Sequence, residues 1–475
     1  MTPAEFGTTD DRSRRPEDRW FRIDVRSRAL LAFAVVLAGG AVLAPAAPAE
    51  VVRITSDPAA DSDAPDVVAI AAFPATADAG RIAGLPVAGL PDDVATFEAA
   101  PPGGPVAYAG QGPTGPAPAD RFDDQPHRPL AGLVPLGGGP VVPFTGPTGG
   151  PLGRAFRPYS NAANDQPDPW ITWAPDGASL VLHAVGRDPR ADPWFAAPAS
   201  RRCVVATARC EPVAPRDVVD LPGGGTVQVD AGLTAPIGAN RSLGRDSAES
   251  RVTTKRFRAR AGRRYAVTVR VAGRPGPAAT WTTSGVLRTG APAYDRSYAS
   301  AAGVLVRTSR VRAPRSSGRD AYESVGADAG RAAIVRADGT IRSLGRFGYE
   351  VVGTLPDGRW VLTGGSGERF ERGPTGLPLS TLDADGRIAP ITSGTRPVSP
   401  VWAASTAGLP DSLSTTAKVE HAGVDGATGL LVLVLRFSDD DGGGRVVAVT
   451  PDGSAPPRLL RDAPGRPSDD DYVVR

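Results

Sequence analysis

A recurring hairpin signal constrains this chain more than any other feature: an apolar run, a turn carrying Asp-Gly, and a second apolar run. Residues 170–182 read WITWAPDGASLVL and residues 351–363 read VVGTLPDGRWVLT, each turning at Pro-Asp-Gly. A second form turns at Asp338-Gly339, Asp385-Gly386 and Asp452-Gly453. Asp-Gly between apolar runs predicts antiparallel hairpins, because glycine supplies the positive φ that tight turns demand. Gly339 and Gly386 lie 47 residues apart, near the length of one four-stranded propeller blade.

Composition agrees with many short strands. The 475 residues include 57 Gly and 49 Pro, which punctuate turns and break helix interiors. The expected fold class is therefore all-β, a β-propeller of four-stranded antiparallel blades. Its length suits about six or seven blades, since blades stacked radially leave few free sheet edges. Pro400-Val401-Trp402 stands where an aromatic strand would enter the next unit.

The aromatic strand leading into Trp173-Ala174-Pro175-Asp176-Gly177, the matching Leu355-Pro356-Asp357-Gly358 and the three Asp-Gly hairpins resemble the WD-repeat-like propellers of the periplasmic TolB-like family. The resemblance covers residues 120–220 and 320–475. It implies a propeller with a binding role, and it brings no catalytic set with it.

Residues 1–49 have the features of a secretory signal peptide or signal anchor. An apolar run at 29–44 follows Arg26 and Arg28, and small residues at Ala47 and Ala49 follow it. The run is shorter than the ~20 residues that span a bilayer comfortably. Residues 50–119, rich in Ala, Pro, Asp and Gly, read as linker, although the apolar piece at 67–72 is able to dock as an edge strand. The propeller is expected over 120–475. Residues 222–315 break the repeat and read as a small β-sandwich inserted between blades, in preference to degenerate blades with long loops. Within them, residues 255–260 alternate, turn at Ala261-Gly262 and return at 265–271, with Phe257, Tyr265, Val267 and Val269 inward.

Cys203 and Cys210 are the chain's two cysteines. A hairpin turning at Ala206-Thr207 places them opposite one another, within reach of a disulfide, and export favours oxidation. Asp123, Asp124 and His127 form the candidate metal set, which a surface turn beside Pro126 and Pro129 explains equally well; no metal and no cofactor is expected. Ser438 to Gly442 stacks carboxylates able to hold calcium, but reads first as a solvated hairpin tip. His183 reads as a strand-end residue. Arg256, Arg258, Arg260 and Arg270 would share one exposed hairpin face able to hold an anionic polymer. Against that, only Lys255 and Lys418 are lysine among 53 basic residues, so arginine abundance here reflects a GC-rich coding bias.

A net charge of +2 gives no case for nucleic acid. No G-x-S-x-G elbow is present, and the Gly-rich stretches lack the Lys-Ser/Thr of a phosphate loop. The sequence therefore predicts an exported, non-catalytic propeller that binds a protein or a cell-envelope component. The alternative is a hydrolase acting on a glycan or lactone, with site residues converging from several blades.

Overall fold

The computed structural model describes residues 50–57, 67–74, 85–91, 94–100, 104–113, 127–153, 170–184, 199–214, 216–222, 224–233, 259–275, 278–312, 328–364, 377–425, 429–437, 445–461 and 470–474. The signal segment, Asp123, Asp124, Arg256, Phe257, Arg258 and the tip at 438–442 lie outside these residues.

The fold is an all-β propeller ring with six blades of four antiparallel strands. Blade 1 comprises Val94–Ala99, Val106–Pro113, His127–Val134 and Val142–Pro143. Blade 2 comprises Trp170–Trp173, Ser179–Ala184, Ala199–Val204 and Arg209–Val213. Blade 3 comprises Asp217–Asp220, Thr226–Ala231, Arg264–Ala272 and Thr280–Val286. Blade 4 comprises Ala291–Ser300, Gly303–Val311, Asp328–Arg336 and Ile341–Phe347. Blade 5 comprises Glu350–Thr354, Trp360–Thr363, Ser380–Leu382 and Ile388–Pro390. Blade 6 comprises Lys418–Val424, Leu431–Arg436, Arg445–Val449 and Arg458–Arg461.

A further, five-stranded sheet closes the ring between blades 6 and 1. In it the C-terminal strand Asp470–Val474 pairs antiparallel with Glu50–Asp57, followed by Val67–Pro74 and Leu85–Ala88, with Gly139–Pro140 added in parallel. Pairing Asp470–Val474 with Glu50–Asp57 joins segments far apart in sequence and closes the ring against an open sheet edge. Residues 50–113, expected to be linker, therefore carry strands of the closing sheet and of blade 1.

Every predicted Asp-Gly hairpin forms. The Pro-Asp-Gly turns join the first two strands of blades 2 and 5, whereas the turns at Gly339, Gly386 and Gly453 join the last two strands of blades 4, 5 and 6. The 47-residue interval thus separates equivalent turns of consecutive blades. Gly358 shows why this residue is needed: its φ is +85°, and a Cβ there would stand 2.7 Å from the Ala302 amide nitrogen of blade 4.

Two expectations are corrected. The described strands within residues 222–315 form no separate sandwich; they complete blade 3 and begin blade 4, as the degenerate-blade alternative has it. Arg264–Ala272 pairs with Thr226–Ala231 on one edge and with Thr280–Val286 on the other. The alternation itself was read correctly, with Val267 and Val269 fully buried. Pro400-Val401-Trp402 opens a helix, α1 (Pro400–Thr406), instead of a strand. Proline suits the first helical position, and the Ser399 hydroxyl accepts from the Trp402 amide as N-cap. A second short helix, α2 (Asp411–Ser414), follows before blade 6.

Packing between blades holds the ring. Leu305, Ile334 and Phe347 of blade 4 form one cluster with Trp360, Leu362 and Leu382 of blade 5. The indole of Trp360, fully buried, donates to the Tyr298 carbonyl across that seam at 3.2 Å. Strands flanked by neighbours on both faces are buried throughout, as in Leu431–Arg436 up to its last residue, while outermost strands such as Ile388–Pro390 are exposed.

Candidate functional site

The first strand of each blade lies innermost, so polar residues there meet at the ring's axis. Glu98 of blade 1 forms an ion pair with Arg296 of blade 4, joining strands on opposite sides of the ring. The indole of Trp173, from blade 2, donates to the Glu98 carbonyl at 3.3 Å and fixes that strand. In blade 4 a register shift between Tyr294 and Arg296 sets Asp295 out of the ladder, and bulges of this kind re-aim side chains. Arg307 Nε then donates to Asp295 Oδ2 at 2.5 Å, and its Nη1 donates to the Tyr349 carbonyl at 3.2 Å.

Arg296 and Arg307 are direct cross-strand partners, an arrangement that like charges disfavour. Each guanidinium has its own carboxylate, and both lie over the Tyr298 ring, at 5.5 Å and 5.9 Å from its centroid. Burial opposes the charge on Arg307, yet Asp295, Tyr298 and Glu350 hold it protonated more firmly than a free arginine. Burial lowers the pKa of Arg296 and raises that of Tyr298. On the innermost strand of blade 6, His421 is pushed towards its neutral form, first by burial and then by the Arg296 charge, with Glu420 opposing. The axial cluster therefore joins blades 1, 4, 5 and 6.

Chemically, the two guanidinium groups are occupied by internal carboxylates. A nucleophile needs a base within hydrogen-bond reach, and among the described residues one such pair is sealed elsewhere. His183 Nδ1 lies 3.0 Å from the Ser200 hydroxyl, but His183 is fully buried and Ser200 is 4% exposed. The imidazole stacks on Trp170 at 4.8 Å. Burial pushes its pKa down to about 3, with the Val218 backbone opposing. That pair is part of the core of blade 2, near the strand end where His183 was expected.

Cys203 and Cys210 form the expected disulfide: they are register partners across a hairpin whose turn is a short 3-10 segment, Val205–Thr207. Of the candidate metal set, His127 is the first residue of the third strand of blade 1, away from the innermost strands. Of the expected arginine row, Arg256 and Arg258 lie outside the described residues, and Arg270 bonds within its own blade to Gln228 at 2.8 Å and to Asp230 at 3.4 Å. Arg260 sits in the turn before that strand. Glu98, Asp295, Arg296, Arg307 and Glu350 were not singled out in the sequence. The adjacent charges in APAYDRSYAS, an otherwise apolar and aromatic strand, were the available signal.

No protein-family model matches the chain, and no curated protein matches it. Among solved structures, it is similar to a prolyl endopeptidase from a study of inter-domain dynamics in catalysis and specificity, at 13% identity and a TM-score of 0.35 over 79% of this chain and 43% of that one. It is similar to the acylaminoacyl peptidase of Pyrococcus horikoshii at 8% identity and a TM-score of 0.29, over 78% of this chain and 52% of that one. A luciferin-regenerating enzyme matches at 10% identity and a TM-score of 0.26, over 63% of this chain and 76% of that one. The chain spans about half the length of the two peptidases. Scores this low carry no argument about activity, and the propeller rests on the strand topology above. Neither a WD-repeat nor a TolB-like family membership follows from these likenesses.

Proposed function

We propose that this protein is an exported, ligand-binding propeller whose recognition surface is the axial mouth around Arg296 and Arg307. One observation carries the reading: Glu98 and Asp295 are both engaged in ion pairs with arginine, which favours holding shape and charge over acid–base work. The disulfide is compatible with an extracytoplasmic location, and no helix among the described residues is long and apolar enough to cross a membrane. The partner is a protein or a cell-envelope component. The test is co-sedimentation of the purified protein with isolated envelopes of the producing cell. Binding is expected, with loss in a Glu98→Gln/Arg296→Gln variant that deletes the axial pair together; protein that stays in the supernatant refutes the reading.

A hydrolytic role is the second reading, favoured by His421. Burial and the Arg296 charge push its imidazole towards the neutral form, against Glu420, and on the innermost strand of blade 6 it offers a general base to a glycan or lactone. Turnover of glycosides, lactones or peptides that disappears in His421→Gln would replace the binding reading with this one.

A further inference from the structure

A second site lies away from the axis, on the seam between blades 3 and 4. A cavity of about 340 Å³ opens there, lined by Ser284 of blade 3 and by Thr308, Ser309, Arg310, Arg331 and Arg346 of blade 4, among others. Three adjacent strands each contribute one arginine, and among the described residues no carboxylate lines the cavity. Arg331 and Arg346 are direct cross-strand partners, the arrangement that destabilises a ladder when both members are cations. At the axis, the equivalent pair is relieved by two internal carboxylates. At the seam, no ion pair to Arg310, Arg331 or Arg346 occurs among the described residues. Asp328 is the register partner of Arg310, which still leaves the three strands with an excess of positive charge.

The backbone is shaped to present these groups. Thr308 faces both Gly330 and Arg331 at a register shift. Its hydroxyl donates to the Arg331 carbonyl at 2.8 Å and accepts from the Arg331 amide at 3.0 Å, locking the bulge. Leu344 is the extra residue of a second shift in the neighbouring ladder, followed by Gly345 at φ +70° and then Arg346. Arg310 is held in place as well: its Nη2 donates to the Thr289 carbonyl at 2.5 Å. Its side chain passes where a Cβ on Gly290 would stand, at a φ of +121° that favours glycine. Two bulges and a positive-φ glycine thus converge on one cavity lined by cations and hydroxyls.

We infer that this seam is a binding site for a phosphate ester carried on a saccharide. Guanidinium forks match the oxygens of a phosphate in bidentate geometry, and hydroxyls lining the cavity suit the sugar. The volume is within the range of small-ligand pockets.

The experiment is calorimetric titration of the purified full chain at low salt with glucose 1-phosphate, inorganic phosphate and glucose. Saturable binding of glucose 1-phosphate is expected, tighter than inorganic phosphate by about tenfold or more. It should weaken by at least about tenfold in Arg331→Gln/Arg346→Gln, since charge-assisted hydrogen bonds to the phosphate are lost. Both positions are exposed, so these variants fold, and Arg436→Gln on blade 6 is the control expected to bind as wild type. Absence of saturable binding, or equal binding by the double variant, overturns the site. Equal affinity for phosphate and glucose 1-phosphate overturns the saccharide assignment. Because the axial residues are untouched, failure here is distinguishable from failure of the axial reading.

Discussion

Replacing Asp295 with Asn removes one charge from the axial cluster with almost no change in side-chain volume. The side chains of Asp295 and Arg307 are 9% and 14% exposed, so Arg307 would be left as a buried cation. Its remaining partners would be the Tyr349 carbonyl at 3.2 Å and the Tyr298 ring at 5.9 Å. Breaking a buried pair by removing one partner costs about 3–5 kcal/mol. Glu350 also favours the charged form of Arg307 and offsets part of that, which places the expected loss near ~3 kcal/mol. The repulsion from Arg296, directly across the ladder, keeps it from falling much lower. Removing both charges together, as Asp295→Asn/Arg307→Met, should recover most of the loss, because apolar replacement of a buried pair is often neutral. Urea unfolding followed by the fluorescence of the 7 tryptophans reads each variant. Arg436→Gln breaks an exposed pair with Glu420, Arg436 being 70% exposed, and should cost at most about 1 kcal/mol. The reasoning fails if Asp295→Asn loses no more than Arg436→Gln, or if the double variant is as unstable as the single one.

Two further outcomes follow from blade 2. The disulfide closes a short loop, with a separation of 7 residues; chain entropy for a loop of that size gives about 2.5 kcal/mol. Cys203→Ala/Cys210→Ala should lose roughly that amount in urea, and a loss under about 0.5 kcal/mol would mean the hairpin ladder alone holds the segment. His183 is kept neutral in the folded protein, with its pKa pushed from 6.5 down to about 3. The unfolded chain therefore takes up a proton that the folded one refuses, so the contribution is complete above pH ~6.5 and is lost as pH falls towards about 3. At ~1.4 kcal/mol per pH unit, this amounts to roughly 3 kcal/mol by pH 4. The stability of His183→Gln should fall less steeply than wild type across that window, and parallel profiles would refute the assignment.

The legible part of this fold was local. Asp-Gly turns announce themselves because their glycines require positive φ, as at Gly177, Gly339 and Gly386, and the Cys203–Cys210 register followed from counting outward from the turn. The first two strands of blade 1, Val94–Ala99 and Val106–Pro113, read as linker because this blade packs through small residues. Ala107, Ala109 and Ala131 are buried almost completely, and Gly132 has no room for a Cβ, which would stand 2.7 Å from the Tyr108 hydroxyl oxygen. A segment of this composition looks like linker until its bulky partners, Tyr108 and Trp173, are placed beside it. The sandwich assignment failed for a different reason. Arg264–Ala272 finds its partner Thr226–Ala231 across more than thirty intervening residues, a pairing that no local alternation reveals. The axial cluster was illegible for the same cause carried further: Glu98 and Arg296 are 198 positions apart and meet because the ring closes.

Irregularity is not spread evenly around that ring. Blade 2 keeps an unbroken register through all three of its ladders, and it holds the disulfide and the sealed His183. Blade 4 carries a shift in every one of its ladders. Each shift stands beside a charged group that a regular pleat would have aimed elsewhere: Asp295 at the first, Arg331 at the second, Arg346 at the third. Ladder disruption has a cost, because an extra residue is left unpaired, and departures from local consistency tend to gather at functional sites. The strand Gly303–Val311 links the two regions, since Arg307 belongs to the axial cluster and Arg310 lines the seam cavity. Between them Thr308 bonds the bulge on both sides. Blade 4 is thus the part of the ring whose backbone departs furthest from what pairing alone would favour, and both candidate sites are built on it.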